Sequence, residues 1–366
     1  MDAASVSIRL NPFKGSDGPQ GTPVPWSPYG RMLSERPSFT LDPLFHAGCY
    51  YVQDSSAMFV GHIFRRHLAQ SSHKMRVLDL CAAPGGKTTD LAASLRERCG
   101  DDFELVSNEV MKARVGVLRD NVALWGDPNV RVTSVDPAAF AKLPGYFDVI
   151  VADVPCSGEG MFRKDPRAEA EWSPAVVELC AARQKRILAD VWPALRQGGI
   201  LIYSTCTYEQ AENDDNLEWA AEELGGEILE PSDEFAGYGV RRTACGNLLK
   251  VGEVPGEGQW VGAMRKTAQQ KEGKKNDLSI LHPFTPEGNP DPDAPLCITF
   301  ANEYPRVDVD RATALKYLHR DALVLRDAPL GYIVITYLGH PLGFAKNIGS
   351  RCNNLLPKSR RILMNV

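Results

Sequence analysis

Between residues 75 and 265, short apolar segments alternate with segments that have the apolar spacing of helices. The apolar segments are RVLDL (76–80), FELVSN (103–108), VRVTSV (130–135), DVIVADV (148–154) and GILIYST (199–205). Buried strands that alternate with helices are typical of a parallel sheet covered by helices on both faces. We therefore expect an α/β fold in which the carboxyl ends of the strands meet at one edge, where such sheets bind ligands.

The clearest helix is predicted after Ser173, a residue type that favours the N-cap position, with Pro174 as the first helical residue. Apolar residues then recur at helical spacing as far as Leu195, and Gly198 and Gly199 are expected to end the helix. A shorter helix is expected near residues 54–68.

The segments that flank this region differ from it in composition. Residues 1–74 are rich in proline and aromatic residues and form a predicted N-terminal lead-in to the α/β domain, residues 75–267. Residues 268–295 are polar and contain five prolines, which is typical of a linker. Residues 296–366 return to short β-like runs such as GYIVITYLG, so we expect a small C-terminal domain there.

Composition narrows the classes of function. No run of about 18 apolar residues is present, and the first residues lack the apolar core of a secretory signal, so we expect a cytoplasmic protein that does not contact membranes. The nine cysteines form no C-x-x-C pair and no cluster with zinc-ligand spacing. We therefore expect a reducing compartment and no bound metal.

The charge is unevenly distributed along the chain. A net charge of -5 argues against a protein that coats nucleic acid. Residues 207–239 contain eleven acidic side chains and no Lys or Arg, whereas residues 331–366 contain five basic side chains and no acidic one. These five are Lys346, Arg351, Lys358, Arg360 and Arg361. Any RNA binding is therefore expected to use a local basic surface.

A turn rich in small residues follows the first predicted strand, in VLDLCAAPGGKTTDLA (77–92). Small side chains allow the backbone to approach a ligand closely, and the helix that follows presents free N–H groups. The spacing differs from that of a P-loop. The turn residues that we predict to contact a ligand are Cys81, Ala82, Ala83, Pro84, Gly85, Gly86 and Lys87. An ordinary strand–helix connection would have a similar pattern.

Acidic residues end the next two strands. Glu109 lies 24 residues after Gly85, at the position where an acid accepts hydrogen bonds from ribose hydroxyls in doubly wound sheets. Asp136 follows the third strand and has two interpretations, a contact to an adenine amino group or a cap of the segment that follows. A solvated surface carboxylate is an equally simple interpretation of Glu109.

Two cysteines follow strands further along the chain. Cys156 lies in DVPCSGEGMFRKDP (153–166), after Asp153 and before the basic pair Arg163 and Lys164, which would favour a thiolate or bind a phosphate. Cys206 lies in YSTCTYEQAEND (203–214). Because parallel strands bring their carboxyl ends together, the two thiols are expected to face one pocket. The alternatives are two independent structural cysteines or a disulfide.

These motifs resemble, in order and spacing, those of the Sun-type (Fmu-related) RNA cytosine-5 methyltransferases. The matching segments are LDLCAAPGGKT, DVPCSGEGMFRKDP and YSTCTYEQAEN, with weaker matches at SIRLNPFK (7–14), YYVQDSSAM (50–58), GQWVGAMRKT (258–267) and GFAKNIGSRCNNLLPKSRRI (343–362). The last resembles the PUA-like end of bacterial ribosomal RNA members. The resemblance implies a Rossmann-like class I methyltransferase sheet followed by a small α+β PUA-like domain.

The resemblance also implies roles for particular residues. The family's nucleophile maps to Cys206 and its release cysteine to Cys156, whereas DNA cytosine-5 methyltransferases attack from the Pro-Cys position and lack the second thiol. Contacts to S-adenosyl-L-methionine map to residues 81–87, Glu109, Asp136 and Asp153. A thiolate that adds to carbon 6 of cytosine makes carbon 5 nucleophilic toward a sulfonium methyl group, and Asp153 would hydrogen-bond the amino group and N3 of the ring.

Two departures from the family pattern affect RNA docking and the rim of the site. Family members have a longer helical region before SIRLNP, so the lead-in is expected to be truncated. Cys245, in TACGNLLKV, replaces a run that is usually aromatic and contains proline. We expect a monomeric enzyme that methylates ribosomal RNA, with transfer RNA as the second candidate. A non-catalytic RNA-binding assembly factor is the alternative from another class.

Overall fold

The computed structural model describes residues 6–15, 18–68, 72–163, 166–269, 276–282, 290–301 and 303–364. The strands of these residues are β1 (Val6–Leu10), β2 (Thr22–Pro23), β3 (Gly30–Leu33), β4 (Tyr50–Val52), β5 (Met75–Asp79), β6 (Phe103–Asn108), β7 (Val130–Thr133), β8 (Phe147–Asp153), β9 (Leu195–Thr205), β10 (Gly226–Ile228), β11 (Arg241–Arg242), β12 (Gly246–Leu249), β13 (Gln259–Lys266), β14 (Arg306–Asp308), β15 (Gly331–Tyr337), β16 (His340–Asn347) and β17 (Cys352–Asn354). The α-helices are α1 (Pro43–His46), α2 (Phe59–His67), α3 (Gly86–Cys99), α4 (Lys112–Trp125), α5 (Pro166–Glu171), α6 (Pro174–Val191), α7 (Asp214–Leu224) and α8 (Arg311–Leu318).

The central sheet has the strand order β11-β12-β13-β9-β8-β5-β6-β7, with β10 also paired to β13. The strands from β7 to β9 are parallel, as the sequence predicted, and the α/β fold is confirmed. The sheet as a whole is mixed, because β13 runs antiparallel beside β9 and continues into further antiparallel strands. The chain order reverses between β5 and β8, and ligands of doubly wound sheets bind at such a switch point.

Helices cover both faces of this sheet because its strands direct alternate residues to opposite sides. On one face, Val77 and Val151 pack in a cluster that also contains residues of α2 and α3. On the other face, Leu78 and Ile150 pack in a cluster with residues of α6 and α7. Apolar layers therefore cover both faces of the sheet, and the loops that follow the parallel strands lie at its carboxyl edge.

The helix predicted after Ser173 begins where it was expected. The Ser173 hydroxyl accepts a hydrogen bond from the Val176 N–H (3.4 Å), and the helix, α6, starts at Pro174. Its predicted end is wrong, because α6 ends at Val191 and Leu195 already belongs to β9. Pro193 explains the difference, since a proline lacks the N–H that continues a helix. The strand then runs through the two glycines that had been expected to end the helix.

The N-terminal and C-terminal segments share one apolar cluster. The sheet β2-β3-β1-β4 contributes Ile8 and Tyr50, and the sheet β14-β15-β16-β17 contributes Ile333 and Ile335. Leu315 of α8 belongs to the same cluster. Residues 276–282 of the predicted linker also pack on the α/β domain through Leu281, which is 4% exposed. Among the described residues, no helix is long and apolar enough to cross a membrane.

Candidate active site

The turn after β5 and the loop after β8 meet across the switch point of the sheet. The Lys87 ammonium lies 2.8 Å from the Asp153 carboxylate, whose second oxygen accepts a hydrogen bond from Ser204 (2.7 Å) at the end of β9. Burial disfavours the charged form of Lys87, but the Asp153 carboxylate outweighs it and raises the pKa of the lysine. Three neighbouring strands thus place their ends around one ion pair.

The small-residue turn is fixed by contacts on both sides. Gly85 has a φ of +112°, a conformation that side chains rarely adopt, and it leads directly into α3. The Ala82 N–H donates to the Asn108 carbonyl (2.8 Å) of β6. On the other side, the fully buried Arg9 of β1 donates to the Thr89 hydroxyl and to the Gly86 carbonyl (3.2 Å). The lead-in segment therefore supports the turn.

Two buried carboxylates end adjacent strands and face the same region. Glu109, after β6, accepts a hydrogen bond from the Met111 N–H through Oε1 (2.8 Å), while its Oε2 has no hydrogen-bond partner and lies 3.5 Å from Arg114. Asp79, at the end of β5, accepts from Thr88 (2.6 Å) through one oxygen, and its other oxygen is buried without a partner. Burial raises the pKa of Asp79 to about 7.

These two oxygens are a test of whether a ligand fits. Buried polar atoms are nearly always hydrogen-bonded, so carboxylate oxygens without partners at the ends of two neighbouring strands fit donors such as hydroxyl or ammonium groups. The carboxylates of Asp79 and Glu109, next to the Lys87–Asp153 ion pair, also fit a ligand that carries positive charge. Asp136 is different, because it is exposed and its side chain caps the next turn by accepting from the Ala138 N–H (2.9 Å).

The two thiols predicted to share a pocket are in contact. The Sγ atoms of Cys156 and Cys206 lie 3.2 Å apart, well beyond the length of a disulfide bond, and the Cys206 N–H donates to the Cys156 sulfur (3.3 Å). The hydrogen bond from Cys156 lowers the pKa of Cys206, an effect that burial opposes and Lys87 supports. The same bond and burial raise the pKa of Cys156. These shifts favour Cys206 as the nucleophile of the pair and Cys156 as its hydrogen-bond donor.

Arg163, the described basic residue after Cys156, does not activate its thiol. Arg163 is bound to the buried carboxylate of Glu257 through several hydrogen bonds, the shortest of 2.8 Å. The prediction that Arg163 favours a Cys156 thiolate is therefore wrong, because its charge is neutralised by Glu257 and the pKa of Cys156 is raised. Lys164 lies outside the described residues. Cys81, in the turn, is also a poor nucleophile, since burial raises its pKa.

Several residues of the site were missed by the sequence reasoning. Asp79 ends its strand in the same way as Glu109 and Asp153, and that shared position could have identified it. Gln259 of β13 donates to the Thr205 carbonyl (2.9 Å) beside Cys206. Polar residues of the two cysteine loops, together with Gln184 of α6, also contact each other across the site, and nothing in the local sequence pattern indicates them. They are Ser157, Glu159, Gln184, Thr207 and Glu212.

Family models match most of the chain. The model described as 16S rRNA methyltransferase RsmB/F matches residues 66–233, the one described as the N-terminal domain of 16S rRNA methyltransferase RsmF matches residues 1–55, and the one described as the methyltransferase RsmF PUA domain matches residues 304–362. The chain belongs to the RsmB/F family. The resemblance stated from the sequence motifs is confirmed.

Relatives and a solved structure agree with this assignment. Proteins named ribosomal RNA small subunit methyltransferase F are 37% identical in Escherichia coli O157:H7 and 39% identical in Klebsiella pneumoniae, over 71% and 72% of this chain. Each alignment covers 57% of the relative, so the chain spans little more than half the length of these relatives. A crystal structure of a methyltransferase homolog from Pyrococcus horikoshii has a TM-score of 0.60 at 27% identity, over 72% of this chain and 87% of that one.

The basic residues of this RsmB/F chain's C-terminal segment differ in their surroundings. Lys346 is exposed and lies over the Tyr332 ring, with 5.0 Å between its Nζ and the ring centroid, and Arg351 and Lys358 are exposed as well. Arg361 is exposed and contacts His319. Arg360 is only 6% exposed at its side chain and pairs with Asp120 and Asp293. Its charge is thus neutralised within the chain by these two carboxylates.

Proposed function

We propose that the protein is an RNA cytosine-5 methyltransferase that uses S-adenosyl-L-methionine and attacks cytosine with Cys206. The observation that carries this proposal is the contact between the two thiols, 3.2 Å apart and beside the Lys87–Asp153 ion pair. A structural role for the cysteines would require neither this contact nor opposite shifts of the two pKa values. A non-catalytic assembly factor would not require it either.

The cofactor would be held by the turn and by the strand-end acids. The Glu109 Oε2, which has no hydrogen-bond partner, would accept from ribose hydroxyls, and Asp79, whose second oxygen is also buried without a partner, would offset the positive charge of the ligand. Asp153, which is paired with Lys87, stays a predicted contact. When bound, S-adenosyl-L-methionine supplies a methyl group activated by a sulfonium. The Gly85 conformation and the small residues around it keep the backbone open to a close ligand. The contacts at Cys81–Lys87 and Asp136 stay predictions.

Attack on the base depends on the groups around Cys206. Its thiolate adds to carbon 6 of cytosine, which raises the electron density at carbon 5. Asp153 would accept from the exocyclic amino group of the base, and Lys87, 2.8 Å away, would hold that carboxylate in place and offset negative charge at the site. After methyl transfer a solvent base removes the carbon 5 proton, and Cys206 must then be eliminated.

Cys156 is suited to the release step. It keeps its proton because its pKa is raised, so it can donate a hydrogen bond to the Cys206 sulfur as that sulfur leaves carbon 6. The same hydrogen bond stabilises the free thiolate before attack. The nucleophile and the release thiol therefore have different jobs, and losing either one should have different consequences.

Ribosomal RNA of the small subunit is the proposed substrate, and the cytoplasm the proposed compartment. The names of the relatives support this choice, as does the match to a PUA domain at the C-terminus. We propose that Lys346, Arg351, Lys358 and Arg361 contribute to RNA binding, since all four are exposed. Transfer RNA is the alternative substrate, and a monomeric state stays a prediction.

The test is to incubate the protein with S-adenosyl-L-methionine and either small-subunit ribosomal RNA or transfer RNA, and to separate the products on a denaturing gel. Cys206→Ala should abolish methylation and form no covalent complex. Cys156→Ala should accumulate a slowly migrating protein–RNA complex, because attack proceeds and release stalls. The double variant should form none, and Cys297→Ala, whose thiol lies outside the site, should behave as the wild type.

Two outcomes would contradict the proposal. A complex formed by Cys206→Ala but not by Cys156→Ala would exchange the roles of the two thiols. The absence of methylation and of complexes with every RNA, in a protein that binds S-adenosyl-L-methionine, would favour the assembly factor. Methylation of transfer RNA alone would keep the chemistry and change the substrate.

A further inference from the structure

The two loops that carry the thiols are linked by hydrogen bonds in both directions, because a carboxylate on each loop accepts from groups on the other loop. The first loop contains Cys156 and, three residues later, Glu159; the second contains Cys206 and, six residues later, Glu212. We propose that Glu159 and Glu212 are positioning residues, each lying on one thiol loop and holding the other, so that together they set the distance between the two sulfur atoms. This proposal rests on the function proposed above and adds the groups that align its two thiols.

Glu212 holds the loop of Cys156. Its side chain is fully buried and accepts hydrogen bonds from the N–H of Ser157 (3.1 Å) and from the Gln184 amide (2.7 Å). Ser157 is the residue directly after Cys156. The same Gln184 amide donates to the Pro155 carbonyl (2.9 Å), directly before Cys156. Glu212 therefore binds the backbone after Cys156, the release thiol, and Gln184 binds the backbone before it.

Glu159 holds the loop of Cys206 in return. One of its carboxylate oxygens accepts from the Thr207 hydroxyl (2.8 Å) and from the Tyr208 N–H (2.9 Å). Thr207 directly follows Cys206, and its hydroxyl also contacts the Ser157 hydroxyl (2.9 Å). The two carboxylates thus act on the residues next to the two cysteines, from opposite directions.

Neither loop can move away without leaving buried polar groups unpaired. Loss of Glu212 would leave the N–H of the buried Ser157 without its acceptor, which is costly unless the loop shifts. Backbone packing also keeps the two loops in close contact. The Gly160 N–H donates to the Cys206 carbonyl (2.8 Å), and a Cβ at Gly160 would lie only 2.6 Å from Gly258. Backbone packing therefore holds the loops close together. The carboxylates fix how the two loops are aligned, and this alignment sets the distance between the two sulfur atoms.

The direct test measures the thiol contact without RNA or cofactor. The rate of Cys206 alkylation by iodoacetamide is followed against pH in the full chain, with the modified peptide quantified by mass spectrometry. Cys156→Ala should move the midpoint upward by about one to two pH units, because a hydrogen bond to the thiolate is lost. Glu212→Ala should reproduce most of this shift, and Glu212→Gln, which keeps only an acceptor for Ser157, should lie between it and the wild type.

Two further variants keep the test decisive. Glu159→Gln changes a half-buried side chain, so it serves if Glu212→Ala does not fold, and it should also raise the midpoint. Glu209→Gln is the matched control, since its carboxylate lies on the same loop and takes no part in these bonds; its midpoint should equal that of the wild type. Circular dichroism establishes that each variant is folded.

The outcomes separate this proposal from the enzymatic one. Wild-type midpoints in folded Glu212→Ala and Glu159→Gln, together with a shifted midpoint in Cys156→Ala, would overturn the positioning role and leave the methyltransferase proposal intact. A wild-type midpoint in Cys156→Ala would also overturn it, since there would be no contact to maintain. If no RNA is methylated, the alkylation series still decides whether the carboxylates align the thiols.

Discussion

The affinity for S-adenosyl-L-methionine should depend on one oxygen atom of Glu109. The side chain is 4% exposed, its Oε1 is used by the Met111 N–H, and its Oε2 has no hydrogen-bond partner. Glu109→Gln keeps an acceptor for Met111 and replaces Oε2, which lies 3.5 Å from Arg114, with an amide donor. A hydrogen bond to a charged group contributes about 1.5–3 kcal/mol, so the substitution should weaken binding by about ten- to a hundredfold.

Isothermal titration calorimetry at 25 °C measures this change directly. Glu109→Ala should weaken binding at least as much as Glu109→Gln, because it also removes the acceptor of the Met111 N–H. Glu104→Gln is a suitable control: it lies on the same strand, β6, five residues before Glu109, and pairs with Tyr146 and Arg131 instead. Affinity of Glu109→Gln within about twofold of the wild type would refute the assignment of Glu109 to the ribose.

Two further predictions concern stability and RNA docking. Lys266 is 4% exposed, and burial lowers its pKa to about 8. Between about pH 8 and 10.5 the unfolded chain therefore keeps a proton on this lysine that the folded protein has released. The free energy of unfolding should rise across this range by up to about 1.4 kcal/mol per pH unit, about 3 kcal/mol in all. Urea unfolding of Lys266→Met should lack this rise, and parallel curves for the two proteins would show that the lysine is not desolvated. Replacing both Lys346 and Arg351 by Ala should weaken RNA binding and reduce the slope of the logarithm of the binding constant against the logarithm of the salt concentration by about one to two. Lys316→Ala, a control at another exposed position of the C-terminal segment, should have a smaller effect. An unchanged slope in filter binding would exclude this surface.

Local pattern alone predicted much of the fold. The strands from β5 to β9 lie where the apolar segments indicated, and Ser173 caps α6 as expected, because apolar periodicity and capping act over a few neighbouring residues. The contact between Cys156 and Cys206 was also predictable, since both follow parallel strands whose ends meet at one edge. Asp79 also ends a parallel strand of this sheet, so the same rule predicts it as a residue of the site.

Only the tertiary structure determined which charged groups are neutralised. In the sequence, Arg163 and Arg360 are basic residues of the kind that bind RNA. In the structure, Arg163 pairs with Glu257, and Arg360 pairs with Asp120 and Asp293, which are distant along the chain. Partners of this kind depend on how the strands are ordered and on how the terminal segments pack, and neither leaves a trace in local periodicity.

The same limit applies to the groups that align the thiols. The sequence by itself determined that each of the two cysteines follows a strand, because each strand is encoded by its own residues. It did not determine that Glu212 reaches Ser157 or that Glu159 reaches Thr207, because those bonds exist only once β8 and β9 lie side by side and bury the polar groups between their loops. Burial then leaves each N–H a single acceptor, and that requirement comes from the folded molecule alone.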